Sequence, residues 1–76
     1  MSLVIIHNFP LGITIDAVSW YLRNCGDILR LNKISPDSFE VLFADIESAE
    51  KAVRKCDQKS FEHTGFVFLA YRSQLR

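Results

Sequence analysis

The sequence predicts an α+β domain of element order β-α-β-β-α-β: a four-stranded antiparallel sheet in the order 4-1-3-2, with both helices on one face. Three observations predict it. Four short runs rich in β-branched and aromatic residues begin at Leu3, Ile28, Phe39 and Phe66 and read as strands. Two segments, after Thr14 and after Asp45, carry apolar residues at helical spacing. The chain has 76 residues, enough for one domain and one small core, about 60% of the unfolded surface being buried at this size.

Each element has its own signals. Leu3 to His7, L-V-I-I-H, is a buried strand stopped by Asn8-Phe9-Pro10-Leu11-Gly12. Thr14 is placed to cap a helix over 15–25, with Asp16 in the first turn, where the helix dipole favours an anion. Ile13 and Val18 occupy the positions of a hydrophobic staple. Ile15, Val18, Tyr21, Leu22 and Cys25 share one helix face, and Gly26 follows where a helix end needs positive φ. Ile28 to Ile34 is a half-buried strand. Ser35-Pro36-Asp37-Ser38 is a turn with Pro at its second position, and Phe39 to Phe43 returns as the second arm of a tight hairpin. Asp45 caps a second helix whose buried stripe is Ile46, Ala49, Ala52, Val53 and Cys56. Acidic residues begin that helix and Lys51, Arg54 and Lys55 end it, complementing the macrodipole. Phe66 to Tyr71, F-V-F-L-A-Y, is the last strand. Alternation puts Val4, Ile6, Leu22, Phe39, Val41, Phe43, Ala52, Val53, Val67 and Leu69 in the core. The whole is the ferredoxin-like arrangement, with one sheet face left open.

Composition narrows the function. Hydrophobic residues make up 49% and charged residues 24%, which excludes disorder and low complexity. Nine basic residues balance nine acidic ones, and the pI of about 6.7 is low for a nucleic-acid domain. The apolar runs are too short to span a membrane, and the N-terminus lacks a signal-peptide pattern. Two unpaired cysteines suit a reducing, intracellular setting, nuclear or cytoplasmic. An enzyme this small is not expected. Residues 1–76 read as a single domain excised from a larger protein.

In its helix and core positions the chain resembles the RNA recognition motif (RRM) family over essentially its whole length. Thr14, Val18, Leu22, Cys25, Gly26 and Ile28 fall where the family has T-x-x-x-L-x-x-x-F-x-x-[aromatic or small]-G-x-I. Phe43-x-Asp45-x-x-x-Ala49-x-x-Ala52-Val53 matches the second-helix pattern. Val4 to Phe9 falls on the family's hexamer signature, and Pro36 to Phe43 on its octamer. The resemblance implies RNA binding on the open sheet face, by bases stacked on aromatics at the second hexamer position and at the third and fifth octamer positions. Here those positions hold Ile5, Ser38 and Glu40. No stacker remains, and a mid-sheet carboxylate repels the nucleic-acid backbone. His7 and Leu42 complete the signature positions.

Two other features attract attention. With Val67 and Leu69 inward, Phe66 and Phe68 would face outward and, with Ile5, His7 and Leu42, form an apolar open face. Cover by terminal residues around Leu75 is the simpler reading of such a face; a partner is the functional one. Trp20 lies about 200° round the first helix from Val18, near Asp16 and Arg23, and should point to solvent. Packing on neighbouring side chains is its simpler reading, whereas exposed tryptophan is enriched at interface hot spots. The expected primary role is therefore a non-catalytic, atypical RRM docking a protein partner or a second copy through Trp20, Asp16 and Arg23. RNA binding is expected only in the non-specific range, roughly 10⁻⁴–10⁻⁶ M. The alternative is displaced RNA binding by Phe66 or Phe68, with Arg30, Lys33, Arg72 and Arg76 on phosphates. Its variant is 7-methylguanosine cap stacking, which short-hairpin members of the family suggest, although the loop after the first strand has no tryptophan. A small-molecule-sensing regulatory domain is a third reading.

Metal, cofactor and nucleophile chemistry are not expected. His7, His63, Cys25 and Cys56 lack the paired spacing of a zinc site, and both cysteines lie on buried helix stripes, where thiols are inert. Acylphosphatase-like enzymes of the same element order need an arginine in the first loop, and metal chaperones need paired cysteines there. Phe9 to Ile13 supplies neither.

Overall fold

The computed structural model describes residues 1–59 and 68–73. Its elements are β1 (Ser2–His7), α1 (Ile15–Leu22), β2 (Ile28–Ser35), β3 (Ser38–Phe43), α2 (Ile46–Cys56) and β4 (Leu69–Ser73). The strands form one antiparallel sheet in the order β2-β3-β1-β4. That is the expected 4-1-3-2 order, with α2 over β1, β3 and β4, and α1 over β2.

Both helices start where the sequence places them. Thr14 Oγ1 accepts from the Ala17 amide at 3.1 Å, and the Asp45 carboxylate accepts from the Ser48 amide at 2.8 Å. Each satisfies an amide the first turn would leave open. The Ser48 amide and hydroxyl hold the Asp45 carboxyl below its ordinary value. α1 ends at Leu22, three residues before the expected end. Cations supply the reason: Arg23 Nη1 donates to the Trp20 carbonyl at 2.6 Å and Lys55 Nζ to the Tyr21 carbonyl at 2.9 Å. The last carbonyls are thus satisfied by these side chains together with tight-turn backbone bonds from Arg23 to Trp20 and from Cys25 to Leu22. Gly26 has φ +155°, and a Cβ there would run into Ser48 Oγ on α2. Its missing side chain is what lets the loop after α1 meet α2.

The core lies between sheet and helices. Val4, Ile6, Leu22, Phe39, Val41, Phe43 and Ala52 are buried as expected, whereas Val53 is only partly so. Ile15 and Ile46, assigned to the buried helix stripes, are about half exposed, each at the first position of its helix. Phe9, placed in a loop by the sequence, is a core residue. Asn8 takes φ +75°, and Phe9 then packs edge-on to Phe39 at 5.1 Å and against Phe68 at 4.6 Å between ring centres. Aromatic pairs at such angles add about 0.5–1.5 kcal/mol each beyond area burial.

β4 overturns an expectation. Its register on β1 is His7 with Leu69, Ile5 with Tyr71, and Leu3 with Ser73. Val4 and Ile6 face the helices, so Leu69, Tyr71 and Ser73 share the open face with the other β1 residues. Phe68 is 1% exposed and in the core, whereas Leu69 is 50% exposed. Both assignments are the reverse of those from sequence, as a one-residue slip in phase requires. Packing decides the phase: Phe68 completes the Phe9 cluster and meets the Tyr21 ring at 5.8 Å, and Ala70 provides a small residue on the helix side. Phe66 and Val67 lie outside the described residues.

The two sheet edges are irregular or partly capped, which disfavours further strand pairing. On β4, Phe68 exchanges backbone bonds with Gln58 and Lys59, and Asp57 Oδ1 accepts from the Ala70 amide at 3.2 Å. On β2, the register is irregular between Ile28 and Arg30 and between Lys33 and Ser35.

Candidate nucleic-acid interface

The open face is built by alternate residues of four strands. β1 contributes Leu3, Ile5 and His7, and β3 contributes Ser38, Glu40 and Leu42. Leu3, Ile5 and Leu42 form a second buried apolar cluster, separate from the main core. Ile5 stands between Glu40 on one side and Tyr71 on the other. Glu40 is half buried, and its Oε1 accepts from Asn32 Nδ2 at 3.0 Å. The three family stacking positions therefore hold a buried isoleucine, a buried serine and a carboxylate tied to its neighbour strand.

The aromatic surface of this face sits one strand away. Tyr71 is 43% exposed. Its ring lies 5.7 Å from the His7 ring, tilted 34°, and its hydroxyl is 3.2 Å from His7 Nε2. His7 Nδ1 is 2.7 Å from Ser38 Oγ. The Ser38 hydroxyl donates to Asp37 Oδ1 at 3.2 Å, and the Ser35 hydroxyl donates to the same oxygen at 3.0 Å. A carboxylate in the β2–β3 turn thus orients a chain of polar groups ending at the exposed tyrosine. Tyr71 is the exposed ring on this face that sequence reasoning missed. Its signal was the polar Arg72-Ser73 after the apolar run, which centres the strand near Ala70 rather than Phe68.

The cations expected to touch phosphate do not converge. Arg30 is exposed and paired with Leu42, on the open face. Lys33 is paired with Phe39 and so belongs to the helix side. Arg72 turns toward α2, where it meets Glu50 at 3.6 Å. It borders a groove of about 460 Å³ that also involves Arg54, Asp57 and Tyr71. Arg76 lies outside the described residues. Phe68, buried, is unavailable for stacking.

Trp20 stands on the outer face of α1 as expected, 52% exposed. Arg23 lies over its ring, with Cζ 3.0 Å from the centre, and Ala17 and Tyr21 complete a shallow depression of about 440 Å³. Lys55 stands over the neighbouring Tyr21 ring at 4.5 Å. Asp16 is exposed in the first turn of α1 and forms no ion pair with Arg23 among the described residues.

Cys25 and Cys56 are free and buried. Burial pushes the Cys25 thiol up and the Cys56 thiol to about 12, so both stay protonated at neutral pH and are poor nucleophiles or ligands. Among the described residues no three His, Cys, Asp or Glu side chains come together as a metal site, and no helix is long and apolar enough to cross a membrane. His63 lies outside the described residues.

No protein-family model matches the chain, and no curated protein matches it in sequence. Solved structures do match. The RRM domain of S. pombe Puf1 is similar at a TM-score of 0.88 and 16% identity, covering 99% of this chain and 100% of its own. The RNA15 RRM, solved also with bound RNA (GU), matches in that form at 0.84 and 19% identity, over 96% of this chain and 83% of its own. The third RRM of Pes4 matches at 0.82 and 22% identity, over 100% and 95%. The fold of this chain is the RRM fold.

Proposed function

We propose that this chain is a non-catalytic RRM-like module that binds single-stranded RNA weakly, on the β1–β4 half of its open face. Tyr71 serves as a base-stacking platform displaced from the usual positions. The observation that carries the reading is the exposed Tyr71 ring beside His7 on the face where the resemblance implies RNA. The solved RNA complex of the similar RNA15 RRM supports the class of ligand. One stacked base contributes about 1–3 kcal/mol by alanine substitution. With zero net charge and Arg30 as the basic residue of this face, affinity belongs in the range of roughly 10⁻⁴–10⁻⁶ M. The test is fluorescence anisotropy with a random single-stranded RNA pool. Tyr71→Ala should weaken binding at least about fivefold, and Tyr71→Phe should retain most of it. Equal binding by Tyr71→Ala removes the reading.

A second reading rests on a separate observation, the half-exposed Trp20 under Arg23 on the opposite side of the molecule. It is a protein partner on the outer face of α1. That partner would bring carboxylates, because Arg23 and Lys55 have no ion-pair partner among the described residues. Trp20→Ala should then cost about 2 kcal/mol or more of association while leaving unfolding within about 0.5 kcal/mol. A destabilised variant that still associates normally would assign Trp20 to packing alone.

A further inference from the structure

We infer that ligand binding at the Tyr71 site is coupled to uptake of one proton by His7, so that this half of the sheet is a proton-dependent RNA receptor. The inference rests on the RNA reading above and adds its regulation. Asp37 gives the polar chain on the open face a direction. Asp37 Oδ1 accepts from both Ser35 and Ser38, so the single proton of the Ser38 hydroxyl is committed to the carboxylate. In the tautomer that keeps both bonds to Asp37, Ser38 Oγ accepts from His7 Nδ1, 2.7 Å away, and that nitrogen carries the ring proton. Nε2 of the neutral ring is left as an acceptor, and the Tyr71 hydroxyl donates to it across 3.2 Å. At neutral His7 in this arrangement the tyrosine proton points into the protein, and the His7–Tyr71 pair itself carries no charge.

Acidification has one place to put a proton on this ring, Nε2. The Tyr71 bond then reverses: Nε2–H donates to the tyrosine oxygen, and the hydroxyl proton is released for a group outside. One step adds a positive charge beside the stacking ring and an outward donor above it. Both suit the phosphate and carbonyl groups of a nucleotide, and neither suits the unliganded face. Among the described residues, the charged groups around His7 are few. Tyr71 faces it from β4, and Asp37 reaches it through Ser38 from the β2–β3 turn. Glu40 shares the open face from β3, its carboxylate held by Asn32, and Arg30 lies beyond it on β2. Histidine titrates between pH 8 and 5.5, whereas carboxylates titrate below that window.

Two measurements on the 76-residue chain test this. The first needs no RNA: nitrogen NMR of the His7 ring at pH 8 should show the proton on Nδ1, and a proton on Nε2 overturns the inference. The second is affinity for a short single-stranded RNA from pH 8 to 5.5 at fixed ionic strength. Affinity should rise about tenfold, which corresponds to one unit of coupling between proton and ligand. The response should vanish in His7→Gln and shrink in Ser38→Ala, with folding of each verified by thermal melting. His63 is the chain's other histidine, and His7→Gln separates the two. A Tyr71-dependent affinity that stays flat with pH, or one that rises equally in His7→Gln, overturns the coupling and leaves the RNA reading standing. Absence of Tyr71-dependent binding at every pH overturns both.

Discussion

The two faces of the same sheet are built from neighbouring residues and have opposite chemistry. On the helix side, Phe9, Phe39 and Phe68 interlock with Val4, Ile6 and Val41 under two helices. On the other side, a small buried cluster of Leu3, Ile5 and Leu42 is bordered by a hydrogen-bonded chain from Asp37 to Tyr71. The first face specifies the fold, and RRM domains of under 25% identity share it. The second face has no aromatic at the three positions where the resemblance implies stacking, and its exposed aromatic ring lies on β4. A fold can therefore keep one side of a sheet and rewrite the other, because a strand's period of two makes the faces independent in sequence.

Adjacent residues of one chain segment give the sharpest break of this comparison. Phe68→Ala should cost about 3–5 kcal/mol of stability, as core phenylalanine deletions do. Leu69→Ala, one residue on, should fall near the surface value of about 0.5 kcal/mol. Thermal or urea unfolding of both variants reads the difference, and equal costs would mean that the two faces are not distinct at β4. Next in size is the contact that seats α2. Gly26→Ala forces a Cβ toward Ser48 Oγ from a positive-φ backbone and should cost about 1–3 kcal/mol. Pairing it with Ser48→Gly should recover part of that loss, and no recovery would place the strain in the backbone alone. Smaller still is the reactivity of the thiols. Cys56, raised to about 12 by burial, should react with a thiol reagent at neutral pH only as the domain opens, so its rate should track unfolding in urea.

The smallest effect is a pH dependence on the helix side. The Asp45 carboxyl is held low in the folded state by its bonds from Ser48. A depressed folded value gives stability that is present above the unfolded value and lost as pH falls through the folded one. The melting temperature should therefore drop on acidification, and less so in Asp45→Ser, which caps without a charge. Identical acid profiles would remove Asp45 from the account.

The sequence was most legible where polar residues mark one face. Phe39-Glu40-Val41 announces which side of β3 is buried, and the structure agrees. Phe66 to Tyr71 is apolar at nearly every position, so alternation carries no phase there. The inward side is chosen by tertiary packing of Phe68 on Phe9 and Tyr21, which a strand pattern does not encode. Phe9 was hidden for a related reason: it follows a strand end and turns inward only because Asn8 adopts positive φ. Trp20 was legible because helical phase depends on a single anchor, Val18, which is buried. The early end of α1 was not, since one of the bonds that satisfies its last carbonyls comes from Lys55, 34 residues away. Of the candidate site, His7, Ser38 and Ile5 were visible from the family signature, whereas their neighbour Tyr71 depended on the strand phase that the sequence left open.

The account's central claim is that ligand binding belongs to the open face at Tyr71. The most direct measurement is amide and side-chain NMR of the labelled chain titrated with a short single-stranded RNA. The account predicts shifts that cluster at Ile5, His7, Leu69 and Tyr71, with the Trp20 indole unmoved on the far side. Shifts centred on Trp20 and α1, or a spectrum that RNA leaves unchanged, would contradict it.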